Sequence, residues 1–164
     1  MSDLLNVGQR LPELEVLTAS GTPTSIVAHL GSRLTLVSFL HGTWCPDCVS
    51  QLYRLQRRRR ELTDVGVEAV VLVRDRPETL AAFLLSARPC LEYTVLADPT
   101  GAAYRRVGAG GHTMILAVGP DRTIRRILHW ADRREQPGDT SLLQLLREIE
   151  EGREAESSHV APAP

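Results

Sequence analysis

Two apolar runs, LTLVSFL at 34–40 and VEAVVLV at 67–73, constrain this chain more than any other feature. Each is too short for a core helix and rich in β-branched and aliphatic residues, so each reads as a buried strand. Between them, VSQLYRLQRRRREL at 49–62 carries Val49, Leu52, Tyr53, Leu55 and Leu62 mostly at helical spacing. The alternation continues. RPETLAAFLLSAR reads as a helix with Pro77 in its first turn, ended by Pro89, and TVLAD at 94–98 as a short strand. TMILAV at 113–118 and TIRRILHW at 123–130 flank a GPDR turn as a hairpin, and DTSLLQLLREIEE reads as a helix capped by Asp139 or Thr140. Residues 14–18 and 24–26, joined by ASGTPT, suggest a small N-terminal hairpin. The order predicts an α/β protein: a mixed central sheet with helices on both faces and an N-terminal hairpin.

A chain of 164 residues, 43% hydrophobic, is sized for one ordinary domain with a real core. We expect that domain over residues 1–151, followed at 152–164 by a disordered tail, because REAESSHVAPAP lacks periodicity. The formal net charge of −1 and the spread of charges give no global field for nucleic acid or an anionic membrane. The arginine run at 57–60 has no aromatic interleaving and reads as a solvated helix face. No basic segment precedes an apolar stretch at the N-terminus, so a soluble, cytoplasmic protein is expected. Three cysteines in that compartment do not make a disulfide framework, and a closely spaced pair there is more often catalytic or metal-binding.

The pair lies in FLHGTWCPDC, residues 39–48. A redox couple, half of a zinc site and two inert thiols are all open readings. With a strand before it and a helix starting near residue 46, Cys45 falls at or beside the N-cap, where free amides and the helix dipole favour a thiolate. Pro46 suits the first turn because it lacks an N–H that would have no intrahelical partner. Asp47 opposes the thiolate, and Trp44 covers the approach with an apolar ring. A structural zinc site wants four ligands, and without a second CxxC it would have to recruit His41 and His112. The pattern therefore favours a thiol–disulfide couple that needs no cofactor, with Cys45 and Cys48 as the catalytic residues.

VGQRLPELEV, SFLHGTWCPDCVSQL, VEAVVLV, VLADPTGAAYRRVG and MILAVGPDRTI together resemble the thioredoxin-fold redoxins of the alkyl hydroperoxide reductase/thiol-specific antioxidant, or peroxiredoxin-like, family. Five residues, Leu40 to Trp44, separate Phe39 from Cys45, as in the branch with the pattern FYRGxWCPxCxxQL, which Phe39, Gly42, Trp44, Cys45, Pro46, Cys48, Gln51 and Leu52 fit. The resemblance implies a thioredoxin-like fold and reduction of peroxides or protein disulfides, with an external thiol reductant such as thioredoxin. Two departures stand out. The peroxide-attacking cysteine of a TxxC motif would fall on Cys48, with Cys45 in the threonine position. Thr113 occupies the place where peroxiredoxins use an arginine and thioredoxins a cis-proline, leaving Arg33, Arg105 or Arg106 as substitutes.

In a fold of this kind the loop before residue 113 would lie beside the pair, so His112 is a candidate proton shuttle, although a surface histidine is the plainer expectation. The same holds for His41. Ser38 lies where thioredoxins bury an acidic proton acceptor, so that acid is missing. Cys90 is a possible resolving cysteine, and a buried free cysteine is the commoner case. A degenerate redoxin, sensing or binding without turnover, is the alternative function.

Overall fold

The computed structural model describes residues 4–111, 113–130 and 133–158. Its strands are β1 (Glu15–Leu17), β2 (Pro23–Ser25), β3 (Leu34–Leu40), β4 (Val67–Val73), β5 (Thr94–Ala97), β6 (Thr113–Val118) and β7 (Ile124–Trp130). They form one sheet in the order β2-β1-β5-β4-β3-β6-β7. β3, β4 and β5 run parallel, while β6 and β7 on one side and β1 and β2 on the other pair antiparallel. The helices are α1 (Pro46–Asp64), α2 (Pro77–Ser86), α3 (Ala102–Val107) and α4 (Asp139–Ser158).

All seven residues of β3 are buried, because β4 and β6 flank its edges and helices with the N-terminal segment cover both of its faces. The two-residue alternation splits the core. Leu34, Leu36 and Leu40 face a cluster with Leu52, Leu55 and Leu62 of α1, Leu80 of α2, and Leu142 and Leu146 of α4. Val37 and Phe39 face the other cluster, with Ala103, Tyr104 and Val107 of α3 and Leu11, Leu14 and Ile26 of the N-terminal segment. Each fully buried Leu or Phe contributes about 1.5–3 kcal/mol. A one-residue slip of β3 would exchange the two sets and lose most of that.

The mixed sheet, the helices on both faces and the N-terminal hairpin match the expected architecture, with two differences. α3 has no counterpart in the sequence reading, since six residues are too few to display a period. It is held instead by Asp98, whose Oδ2 accepts the Ala103 amide at 2.9 Å and the Tyr104 amide at 3.4 Å. Second, α4 runs to Ser158, past Gly152 where a disordered tail was expected. Arg153, Glu154, Ala155 and Glu156 are good helix formers, and one interior glycine costs only about 1 kcal/mol. Residues 159–164 of that expected tail lie outside the described ones. No helix among the described residues is long and apolar enough to cross a membrane.

Tyr104 ties α3 to the carboxyl end of the sheet. Its hydroxyl lies in hydrogen-bond reach of the Leu40 carbonyl and, at 2.8 Å, of the Leu72 carbonyl, at the ends of β3 and β4. Burial pushes its phenol up, so it remains a neutral donor. The ring meets Phe39 edge-on, with centroids 5.4 Å apart. Tyr104→Phe keeps the ring and removes the donor, leaving two buried carbonyls short of a partner. We predict a loss of about 1–3 kcal/mol in urea denaturation, without loss of the folded baseline signal.

Candidate active site

The site is built where β3 ends and α1 begins, outside the carboxyl end of the central strand. Cys45 is the N-cap of α1 with extended backbone (φ −91°, ψ 119°), and Pro46 and Asp47 follow in the first turn. The loop between strand and helix is held from β4. The buried carboxylate of Asp75 accepts the Thr43 amide at 2.8 Å and the Thr43 hydroxyl at 2.6 Å through Oδ2. Gly42 is required beside this clamp, since a Cβ there would lie 2.4 Å from Trp44 Nε1 and 2.8 Å from Asp75 Oδ1. Sequence reasoning missed Asp75. Its only signal was an acidic residue two positions beyond an apolar strand.

The two thiols meet different surroundings. Cys45 is half-buried at a cleft of about 70 Å³, whereas Cys48, one turn further in, is only 3% exposed. The cleft is lined by Leu40, His41, Asp47, Gln51, Thr113, Trp130 and Gln136 as well as the two cysteines. Burial is the main influence on the Cys48 thiol and pushes it up; the Gly42 and His41 amides pull it down and the Cys45 thiol adds to the rise, leaving it at about 11. The His41 amide donates to Cys48 Sγ at 3.3 Å. Burying a thiolate costs several kcal/mol, and a charge-assisted hydrogen bond returns about 1.5–3 kcal/mol, so burial wins.

Of the remaining candidates, some come together here and some do not. Asp47 and Thr113 line the cleft with the cysteines. Trp44 is 73% exposed, so its ring stands beside the site as an open apolar surface rather than as a cover. His112 lies outside the described residues. His41 differs from the surface histidine expected of it, because its Nε2 is buried and has no hydrogen-bond partner among the described residues. Ser38 is fully buried on the α1 side with its hydroxyl unpartnered, and it supplies no acid. A ring nitrogen of His41 and the sulfurs of Cys45 and Cys48 lie within 4.8 Å of one another, a set of three metal donors among the described residues. That set is one ligand short of a closed structural zinc site.

Cys90 is an exposed free thiol and does not line the cleft. Its chain neighbours dock part-way along α1: the Arg88 amide donates to the Tyr53 hydroxyl and the Glu92 amide to Gln56 Oε1. Tyr53 and Gln56 are about 12–16 Å along the helix from Cys45. None of the three arginines considered for peroxide activation lines the cleft. Arg33 precedes β3 and pairs with Glu150 at 2.9 Å, roughly 20 Å of strand away. Arg105 and Arg106 are on α3, across the sheet from α1.

A thioredoxin-like sheet with a CxxC at the start of its first long helix defines a class of thiol-dependent redox protein. Residues 7–127 match the model of the AhpC/TSA family, and the chain belongs to that family. Among solved structures it is similar to a peroxidoxin, BcpB, of Mycobacterium tuberculosis, with TM-score 0.74, 18% identity, and 87% of this chain and 97% of that one covered. AhpC of Enterococcus faecalis superposes with TM-score 0.73 at 20% identity, covering 96% and 98%. A putative thiol:disulfide interchange protein, DsbE, of Chlorobium tepidum gives TM-score 0.67 at 17% identity, covering 87% and 99%. None of the curated proteins matches the chain.

The raised Cys48 thiol makes a pH prediction whose sign is fixed. The folded state holds this proton where an unfolded thiol, at about 8.5, has begun to lose it. Its contribution to stability is full below the ordinary thiol range and is lost as pH rises through about 11. The unfolding free energy of the reduced protein should therefore fall more steeply above about pH 9 in the wild type than in Cys48→Ala, measured by urea denaturation across that range.

Proposed function

We propose that the protein is a dithiol–disulfide oxidoreductase that cycles Cys45 and Cys48 between thiols and a disulfide, with protein disulfides as its substrate class and an external thiol protein restoring the reduced form. The observation that carries this reading is the asymmetry of the pair: one thiol open to a cleft at a helix N-terminus, the other buried a turn below it and held protonated. The Cys45 thiolate attacks one sulfur of the substrate disulfide. A Cys45–substrate bond forms and the substrate S–S bond breaks, releasing the first substrate thiolate. Cys48 then attacks Cys45 Sγ, the Cys45–Cys48 bond forms, and the second substrate thiolate leaves. The protein is oxidised by two electrons and the substrate disulfide is reduced to two thiols.

The neighbourhood of the pair supports a disulfide over a peroxide as oxidant. A peroxide needs charge stabilisation at the breaking O–O bond, and no guanidinium lines this cleft among the described residues. The exposed Trp44 offers an apolar platform to a protein substrate, as exposed aromatic rings do at interfaces. Thr113, the first residue of β6, lines the cleft with the two cysteines and offers an uncharged hydroxyl there. Family membership carries the peroxidase reading, which is the competing outcome of the following test.

Cys48→Ser should trap a mixed disulfide at Cys45 when the reduced variant meets a protein disulfide, while Cys45→Ser should be nearly inert to the same substrate. Intact-mass spectrometry after acid quench reads both. Rapid sulfenic acid formation at Cys48 in Cys45→Ser on adding hydrogen peroxide, with no trapped adduct at Cys45 in Cys48→Ser, would make the protein a peroxidase instead. No adduct or sulfenic acid in either variant would favour a binding or sensing module without turnover.

A further inference from the structure

The cycle above leaves one proton unassigned. Cys48 is buried at the bottom of the cleft, and its sulfur must be a thiolate to attack the Cys45 mixed disulfide. The burial that pushes this thiol up persists while substrate is attached to Cys45, so the sulfur starts the step protonated and needs a base beside it. The carboxylates near the site are poorly placed for this. Asp75 is engaged by the amide and hydroxyl of Thr43 on the β4 side of the loop, and Ser38, on the buried stretch of β3, carries no charge. Asp47 is in the exposed first turn of α1, where its carboxylate is solvated, whereas Cys48 is buried.

His41 stands apart. It is the first residue after β3, its backbone amide donates to Cys48 Sγ at 3.3 Å, and a ring nitrogen lies within 4.8 Å of both sulfurs. Its Nε2 is buried with no hydrogen-bond partner among the described residues, so none of them fixes the ring in one tautomer on that side. An orphaned ring nitrogen in a closed site costs about 1–3 kcal/mol, and it leaves that nitrogen open to take a proton. Among the described residues, His41 shares the cleft with Cys45 at the N-cap of α1, with Asp47, Cys48 and the uncharged Gln51 of α1, and with the uncharged Thr113, Trp130 and Gln136 from β6, β7 and the segment before α4. From α3, the Tyr104 hydroxyl is occupied at the Leu40 and Leu72 carbonyls.

We propose that His41 is the proton acceptor for Cys48 in the second half of the cycle, a role that rests on the dithiol–disulfide reading above. As Cys48 attacks Cys45 Sγ, its thiol proton passes to the His41 ring. The Cys45–Cys48 bond forms, the bond from Cys45 to the substrate sulfur breaks, and the departing substrate thiolate takes the proton from the imidazolium. No other oxidant or reductant enters the step. Reach is gained by a small rotation of the ring, since catalytic hydrogen bonds are commonly loose in a resting site and tighten with substrate bound. The ring is thus a shuttle, returned to its starting state at the end of each turnover.

The experiment follows the mixed disulfide itself. Reduced protein is mixed with glutathione disulfide, quenched with acid at intervals, and the glutathione adduct is counted by mass spectrometry from pH 5.5 to 9.5. His41→Gln should accumulate the adduct and resolve it about 100-fold more slowly than wild type at pH 7. Its resolving rate should climb about tenfold per pH unit, because only spontaneously ionised Cys48 reacts, whereas the wild-type rate levels off. His41→Ala should recover part of the rate with added imidazole, a response that a merely structural role would not give. Resolution in His41→Gln within about twofold of wild type overturns the assignment, as does an equal loss at every pH with no imidazole response in His41→Ala. If Cys48→Ser captures neither glutathione nor a protein disulfide at Cys45, the dithiol–disulfide reading fails and the His41 role with it; capture with unchanged resolution removes His41 alone.

Discussion

β3 is buried on both faces along its whole length, and most of the molecule follows from covering it. Leu34, Leu36 and Leu40 require a helical layer on one side and Val37 and Phe39 a second layer on the other. α1 meets the first need and α3 with the N-terminal segment meets the second. Because β3 is parallel to β4 and antiparallel to β6, the loop leaving its carboxyl end emerges beside both neighbours. That placement brings Thr113 of β6 and Trp130 of β7 to one small cleft with the Cys45–Gln51 stretch, from which both are remote in sequence.

The same burial makes the two cysteines chemically unequal. One turn of helix separates them, enough to carry the second from the N-cap into the core cluster with Leu52 and Leu80. A dipole effect of about 0.3–1 kcal/mol acts on the end of a helix, while desolvation of a buried thiolate costs several times that. The larger effect therefore falls on Cys48, where the Gly42 and His41 amides offset only part of it. What holds this difference in place is the loop: Asp75 grips Thr43, and Gly42 lets Trp44 lie close over it.

Much of this was legible in the sequence. The apolar runs of β3 and β4, the helix with Cys45 at its cap, and the β6–β7 hairpin follow from period and turn chemistry. The parts that were not legible depend on tertiary partners. α3 is six residues long and is recognisable only once Asp98 is seen capping it and Tyr104 is seen at the ends of two strands. Asp75 reads as an ordinary charged residue in VRDR until the Thr43 loop folds back onto it. His41 looks like a surface residue at a strand end, yet its Nε2 is buried in a cleft shared with Trp130 and Gln136, which sequence does not place near it. The run past Gly152 misled in the opposite sense, because absence of amphipathic period is not absence of helix.

The two motif alignments that the sequence supports differ in which cysteine begins the chemistry, and the environment weighs them unequally. On the peroxiredoxin alignment the attacking sulfur is Cys48, yet that position is closed to solvent and its thiolate is disfavoured. A peroxide reaching it would find no arginine among the described residues lining the cleft to receive the developing alkoxide or hydroxide. On the thioredoxin-like alignment the attacking sulfur is the accessible one, and the buried thiol acts only after substrate is covalently attached beside it. Intramolecularity then compensates for a poorly ionised nucleophile, since effective molarities for well-oriented partners reach about 10⁵ M or more. A base at hand removes what remains of the barrier. The burial that makes Cys48 a poor first nucleophile is thus compatible with its being a competent second one.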